Sequence, residues 1–382
     1  MTCSDLRTRT DIPMKTNQIH MSFAVLAVLF SILLTSCHTQ EVLPRDGWNG
    51  KVYHSLDSLI RTCGNLSPEY DAHNRPYAVF DFDNTTIVND ISMSLMIYQI
   101  ENLRFGFTPD RAFDCFTAFL PDLDKVLDGP QMTARELGTR LAHDYAVIYA
   151  LSAESEPFEQ CPEYLDFRAS LMALNDGVEN SFDYATWCLW QPSLFSGMTY
   201  GELQDLTRES VAYWTSQGRV WTEIWKSPDG RLQSSVMKGL IVPKESIHLY
   251  NALRDNGFDV YICSASLEVI VETMACDEKY SLGMEPDDVF GIRLADKTMV
   301  GGAFEEGYDQ TFLDGKSACI RKLIAPKHGG KAPALVAGDS NGDYDMLTSF
   351  DSLGLGLIID CGRSGPISTL SSGRYVRQER FK

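Results

Sequence analysis

Two carboxylates, Asp81 and Asp83, stand one residue apart after the apolar run Tyr77-Ala78-Val79-Phe80, and the small polar residues Asn84, Thr85 and Thr86 follow at once. A second acidic set, Asp339, Asp343 and Asp345, lies in Gly338-Asp339-Ser340-Asn341-Gly342-Asp343-Tyr344-Asp345, directly after Ala334-Leu335-Val336-Ala337. Acids delivered by two strand ends can share one hard cation. Magnesium takes oxygen ligands, typically one or two carboxylates together with phosphate. A calcium loop is the rival reading of the alternating Asp339, Asn341, Asp343 and Asp345, but such a loop wants glutamate at its twelfth position, where Phe350 stands. No Cys/His spacing suggests zinc, and the seven histidines form no triad or metal spacing.

Strands must position these acids. Tyr77–Phe80 is too short for a helix and reads as a buried strand with Asp81 at its carboxyl end, the edge where open parallel α/β sheets bind ligands. Beyond Thr86 the pattern turns helical, with Ile91, Leu95 and Tyr98 on one face and Leu137, Leu141, Tyr145 and Ile148 repeating the spacing. Thr199-x-x-Glu202 is a capping box opening a helix from Tyr200 to Gln217, and Asp229-Gly230 marks a tight turn. Residues 91–240 therefore read as a mostly helical insertion.

Regular alternation follows. Pro243 opens a helix ending at Gly257, Phe258–Cys263 is a strand leading into Ser264-Ala265-Ser266, and Val289–Arg293 is another. Met299–Phe304 looks like a hairpin, Lys316–Leu323 a helix, Ala334–Ala337 a strand and Leu357–Ile359 the last strand. Alternating strand and helix predict an α/β fold, a doubly wound parallel sheet with right-handed crossovers. The expected division is a leader at 1–36, a segment at 37–76 packing on the core, a core at 77–90 and 241–382, and a helical cap at 91–240.

The bulk numbers set limits. A chain of 382 residues has room for about two domains, and 44% apolar with 22% charged residues is an ordinary globular composition. A net charge of −19 and no basic cluster argue against nucleic-acid binding. Near the amino terminus, Lys15 and His20 precede the twelve-residue stretch Phe23–Leu34, apolar except for Ser31 and too short to span a membrane. A basic lead, a short apolar core and small residues form a secretory signal. Its ending, Leu34-Thr35-Ser36-Cys37, resembles a bacterial lipobox, which makes Cys37 the expected lipidated residue, and Met14 the more natural start. An exported lipoprotein, periplasmic or at the cell surface and held on a membrane by lipid, is the expectation. Of ten cysteines, Cys3 lies in the leader and Cys37 would carry lipid; the even remainder permits disulfides, although Cys263 sits in an apolar strand run.

Four stations occur in order: Asp81-Phe82-Asp83-Asn84-Thr85, Ser264 after an apolar strand, Lys316, and Gly338-Asp339 with Asp343. Together they resemble the haloacid dehalogenase superfamily of phosphatases. The resemblance implies that Asp81 is a nucleophile forming an aspartyl-phosphate and that Asp83 protonates the leaving alcohol and then serves as base. It implies magnesium held by Asp81, Asp339 and the Asp83 carbonyl, with Asp343 ordering a metal-bound water, and phosphate contacts from Asn84, Thr85, Ser264, Ala265 and Lys316. The chemistry agrees, because a carboxylate facing one phosphate charge at ~4 Å costs about 4 kcal/mol at an effective dielectric of ~20. The second carboxylate separates a phosphatase from a dehalogenase, which has no alkoxide to protonate.

Within the insertion, Thr186–Leu203 is similar to the cap segment of bacterial phosphorylcholine phosphatases. That likeness implies a small phosphomonoester substrate such as phosphocholine. Trp187, Trp190, Trp214, Trp221 and Trp225 all fall in the insertion, and an aromatic face holds a quaternary ammonium by ~2 kcal/mol. Trp187 and Trp190 are the expected substrate contacts, with the cap's own core as the competing use of any one ring. A departure lies at Ser92 and Met93, where the resemblance leads one to expect acids. Phosphoserine, nucleotide and sugar phosphates stay open, and the alternative in a different class is a lipoprotein that binds a phosphorylated ligand without turnover.

Overall fold

The structure, a computed structural model, describes residues 41–381, so the leader and Cys37 lie outside the described residues. Val42–Lys382 form one compact unit built around a six-stranded sheet. Its strands are β1 (Tyr77–Phe80), β4 (Asp259–Leu267), β5 (Val289–Ile292), β6 (Leu335–Gly338), β7 (Leu355–Asp360) and β8 (Tyr375–Glu379). They run in the order β5-β4-β1-β6-β7-β8, and every pairing is parallel. Side chains alternate between faces: Ala78 and Phe80 join one apolar core, Tyr77 and Val79 the other. Ala337 and Val336 divide likewise on β6. Both faces are covered, which is why these strands read as unbroken apolar runs.

β1 is the switch point of this order, with β4 on one side and β6 on the other. Phe80 pairs with Ala337 and the Asp81 amide donates to the Ala337 carbonyl at 2.9 Å, so the two acidic motifs leave the sheet side by side. Gly338 is required there, because a Cβ on it would lie 2.5 Å from that of Asp343.

Within residues 91–240 the chain forms the helices Ile91–Glu101, Ala112–Phe116, Ala134–Ala153, Pro162–Ser181, Tyr184–Trp190 and Tyr200–Ser216. The capping box at Thr199 is present, with Glu202 Oε2 accepting from the Thr199 amide at 2.8 Å. Phe105, Phe107, Phe116, Tyr145 and Phe167 pack mostly edge-on as the centre of these helices. Val88 and Ile241 bridge antiparallel, which pins the two ends of the insertion together.

Several elements differ from the sequence reading. The insertion also holds an antiparallel pair, β2 (Trp221–Lys226) and β3 (Gln233–Lys238), with Asp229-Gly230 in its turn. The last strand is β8, one beyond Leu357–Ile359. Met299–Phe304 is no hairpin; Phe304 bridges Leu294 and Met299 bridges Thr199. Lys316 lies in a helix over Asp314–Cys319 that widens into a π-helical turn at Ile320–Ile324. Cys63, Cys115, Cys161, Cys188, Cys263, Cys276, Cys319 and Cys361 are all unpaired thiols, where the even count had permitted bridges. Among the described residues no helix is long and apolar enough to cross a membrane.

The insertion carries one pH-sensitive weakness. Arg140 pairs with Asp166 and with Asp229, while Asp144 one turn along is buried and its Oδ2 has no hydrogen-bond partner. Burial first, then the adjacent Asp166, push the Asp144 carboxyl from 3.8 up to about 7. A raised folded value means that its stabilising contribution is complete below about pH 4 and is lost as pH rises through 7. Asp144→Asn removes the charge that causes the loss. Thermal melts of this variant are expected to run about 2–4 °C above the parent at pH 8 and to match it at pH 4.

Candidate active site

Asp81 closes β1 and is almost fully buried. Lys316 Nζ donates to its Oδ1 at 2.6 Å, and the Thr85 hydroxyl donates to its Oδ2 at 3.2 Å. The same ammonium donates to Asp343 Oδ1 at 2.6 Å, and Lys316 is only 2% exposed. Asp343 Oδ2 accepts from the amides of Asp339 and Ser340, both at 3.0 Å, and from the Ser340 hydroxyl at 3.2 Å. Asp343 is thus saturated as an acceptor and fixes the loop that presents Asp339. Lys316 follows Leu313, a bulky residue at φ 51° that borders the cavity, a strained conformation of the kind found at functional sites.

Oxygens of Asp81, Asp339 and Asp343 lie within 4.8 Å of one another. Burial, then Asp343, raise the Asp81 carboxyl to about 7 against the opposing pull of Lys316, and burial with Asp343 and Asp81 raises Asp339 to about 8. Burial opposes the Lys316 charge, yet Asp343 and Asp81 hold its pKa well above the usual lysine range. Three carboxylates around one ammonium leave the cluster short of positive charge. Asp339 Oδ2 is buried without a hydrogen-bond partner, and the nearest cation, Arg363 Nε, is 3.7 Å away. An orphaned carboxylate oxygen in an all-oxygen donor set fits a hard divalent cation such as magnesium.

Asp83 stands across from this cluster with its carboxylate held at both ends. The Ile91 amide donates to Oδ1 at 2.7 Å and the Ser266 hydroxyl to Oδ2 at 2.8 Å. Burial, then Asp90 and Asp81, raise its pKa well above the usual carboxylate range. One acid beside a lysine and a second held in a poorly solvated, like-charged setting is a division suited to nucleophile and proton donor.

These groups border a cavity of about 320 Å³, lined among others by Asp81, Asp83, Asn84, Ala265, Lys316, Asp339 and Trp187. A larger cavity, about 810 Å³, lies at the amino-terminal ends of the strands by Tyr77, Ala334 and Gly354, away from every acid of the cluster. Asn84 takes the left-handed φ of 57° and accepts from Arg380 Nη1 at 3.0 Å. Three expectations need correction. Thr85 does not border the cavity: it is buried and its hydroxyl donates to Asp81 Oδ2. Trp190 is no substrate contact: it is fully buried in the insertion's core and its indole donates to the Phe116 carbonyl at 2.8 Å. Ser264 is also fully buried, its hydroxyl accepting from the Ser266 amide at 3.1 Å, and Ala265 and Ser266 are the residues of β4 that reach the cavity.

Sequence reasoning missed Ser92, Ser266, Glu179, Tyr184, Gln191 and Arg363, which all border the cavity. Ser266 had a signal, since Ser-Ala-Ser at a strand end repeats the hydroxyl two positions on. Glu179 and Arg363 had none, because helix packing and a loop bring them in.

An open parallel sheet whose switch point brings Asp81, Asp83, Lys316, Asp339 and Asp343 to one edge is the arrangement that the resemblance of the four sequence stations to the haloacid dehalogenase superfamily of phosphatases led one to expect. No model of a known protein family matches the chain. In sequence it is similar to a phosphorylcholine phosphatase of Pseudomonas aeruginosa, 29% identical over 318 residues, covering 77% of this chain and 74% of that protein. In structure it is similar to a conserved protein of unknown function from Anaerococcus prevotii, with TM-score 0.78 and 26% identity over 88% of this chain and 94% of the other. A substrate-bound phosphoserine phosphatase overlays more loosely, with TM-score 0.36 and 14% identity over 80% of this chain and 93% of its own.

Proposed function

We propose that this chain is a magnesium-dependent phosphomonoesterase that works through an aspartyl-phosphate on Asp81 and acts on a small phosphorylated metabolite with a cationic head. The observation that carries the reading is the pairing of a lysine-bridged Asp81 with an Asp83 held separately by Ile91 and Ser266. Asp81 attacks phosphorus, and the departing oxygen takes its proton from Asp83. Asp83, now a base, takes a proton from the water that cleaves the acyl-phosphate, releasing phosphate and restoring both carboxyl groups. Lys316 keeps Asp81 oriented and sets a positive charge against the phosphoryl oxygens. Magnesium, when bound by Asp81 and Asp339 with Asp343 behind them, adds the positive charge that lets one anion approach another.

The aromatic and acidic lining of the cavity supports a cationic head. Trp187 and Tyr184 lie together there with ring centroids 5.4 Å apart, and Asp90 and Glu179 border the same space. A cation gains ~2 kcal/mol over a desolvated indole. The volume suits a small molecule. The sequence relative is a phosphorylcholine phosphatase, so phosphocholine is the substrate we favour. Export and a lipid on Cys37 belong to this reading and rest on the leader residues alone.

A panel of phosphocholine, phosphoserine, a nucleoside monophosphate and a sugar phosphate, each with magnesium and with chelator, tests it. Magnesium-dependent phosphate release, highest kcat/KM on phosphocholine, is expected. Trp187→Ala is expected to raise KM for phosphocholine roughly 10–30-fold, far more than for a sugar phosphate. Equal effects on both would remove the cationic head from the proposal, and no release from any ester would favour a phosphate-binding protein.

A further inference from the structure

We infer that Ser266, backed by Ser92, is the positioning residue that aims Asp83 at the leaving group; the inference rests on the proposed role of Asp83. The carboxylate of Asp83 is gripped from two elements, by the Ile91 amide at 2.7 Å and by the Ser266 hydroxyl at 2.8 Å. The amide alone fixes one oxygen and leaves the carboxyl torsion, which is broad and roughly two-fold, weakly held. The second donor closes that freedom.

Ser266 is itself held. Its amide donates to Ser264 Oγ at 3.1 Å, and its hydroxyl oxygen accepts from Ser92 at 2.9 Å. Because Ser92 supplies the hydrogen in that contact, the single hydrogen of Ser266 is directed to Asp83. Both residues are nearly buried, Ser266 at 6% and Ser92 at 7% exposure, yet both border the cavity. The chain therefore runs from the first turn of the insertion (Ser92) through the end of β4 (Ser266) to the loop after β1 (Asp83). It gives Ser92 a use at a position where the family resemblance led one to expect an acid. A misplacement of about 1 Å in a reacting group can cost ~10² in rate.

The leaving group separates positioning from structure. An alkyl phosphate such as phosphocholine releases an alkoxide that must be protonated, whereas p-nitrophenyl phosphate releases a phenolate stable at neutral pH. Ser266→Ala is expected to lower kcat on phosphocholine roughly 30–100-fold and to lower it much less on p-nitrophenyl phosphate, moving their ratio by at least about tenfold. Ser92→Ala should move the ratio in the same direction by less, and Ser266→Thr, which keeps the hydroxyl, should return it to within about threefold of the parent. Asp83→Asn is the reference for a lost proton donor. Equal losses on the two esters in Ser266→Ala, with Asp83→Asn still selective, overturn the inference and leave the proposed function standing. No selectivity in Asp83→Asn overturns both.

Discussion

Asp81→Asn ends turnover and makes the protein more stable. Phosphate release from every ester is expected to fall by at least about 10⁴-fold, because a neutral amide cannot form the acyl-phosphate and the water reaction it replaces is among the slowest known. The substitution is nearly isosteric, and its remaining oxygen can still accept from Lys316, now at 2.6 Å from Asp81 Oδ1. What disappears is a buried charge that Asp343 and Asp339 repel and that burial holds at a pKa of about 7. Its folded value lies above the ordinary 3.8, so the parent loses the Asp81 contribution as pH rises through 7, and the variant has no such contribution to lose. Without metal at pH 8 the variant is therefore expected to melt several degrees above the parent, and at pH 4 with it. Inactivity together with a higher melting temperature excludes misfolding as the cause. Residual activity above about 1% would remove Asp81 as nucleophile.

The acids were legible because each follows a local pattern that tertiary structure has no reason to disturb, whereas Lys316 was legible only through its place in the order of the four stations. A buried parallel strand is a short apolar run, and a carboxylate directly after it lies at the carboxyl edge whatever the rest of the chain does. The strands that were missed hide polar groups on their inner face. Lys238 points inward on β3, where it pairs with Glu101 and Glu223 and lies over Trp225, and this polarity masks the alternation. On β8 only Val376 and Gln378 are buried, and Gln378 is satisfied by the Asn49 amide at 2.8 Å.

The same limit explains the aromatic residues. Trp187 and Trp190 are three apart on one short helix, and composition gives both the same claim on a substrate. Their hydrogen-bond partners separate them, Asn175 for Trp187 beside the cavity and the Phe116 carbonyl for Trp190 in the core. Such partners are set by packing between helices distant in sequence. Ser264 and Ser266 pose the equivalent problem on a strand, where both residues share a face and the turn decides which hydroxyl reaches Asp83.

Lys316→Met is the second large effect, and it reaches activity and stability through one contact set. The ammonium is the shared partner of Asp81 and Asp343, each at 2.6 Å. Methionine fills much of the same volume, so the main loss is the charge and not the packing. Removing one partner from a buried ionic cluster costs about 3–5 kcal/mol, because the charges left behind are uncompensated. The cost depends on pH through the acids that remain. The folded pKa of Asp81 is already raised to about 7 with the lysine in place, and without it the value rises further. Near pH 5 that acid is neutral in the folded variant and the penalty is reduced; at pH 8 folding must either hold the proton or bury the charge. The gap in melting temperature between parent and variant is therefore expected to be wider at pH 8 than at pH 5. Turnover should fall by about 10²–10³-fold, the scale of losing one preorganised donor to a developing anion. A gap that closes toward pH 8 would mean that Lys316 does not compensate these acids, and the division of labour between Asp81 and Asp83 would lose its electrostatic basis.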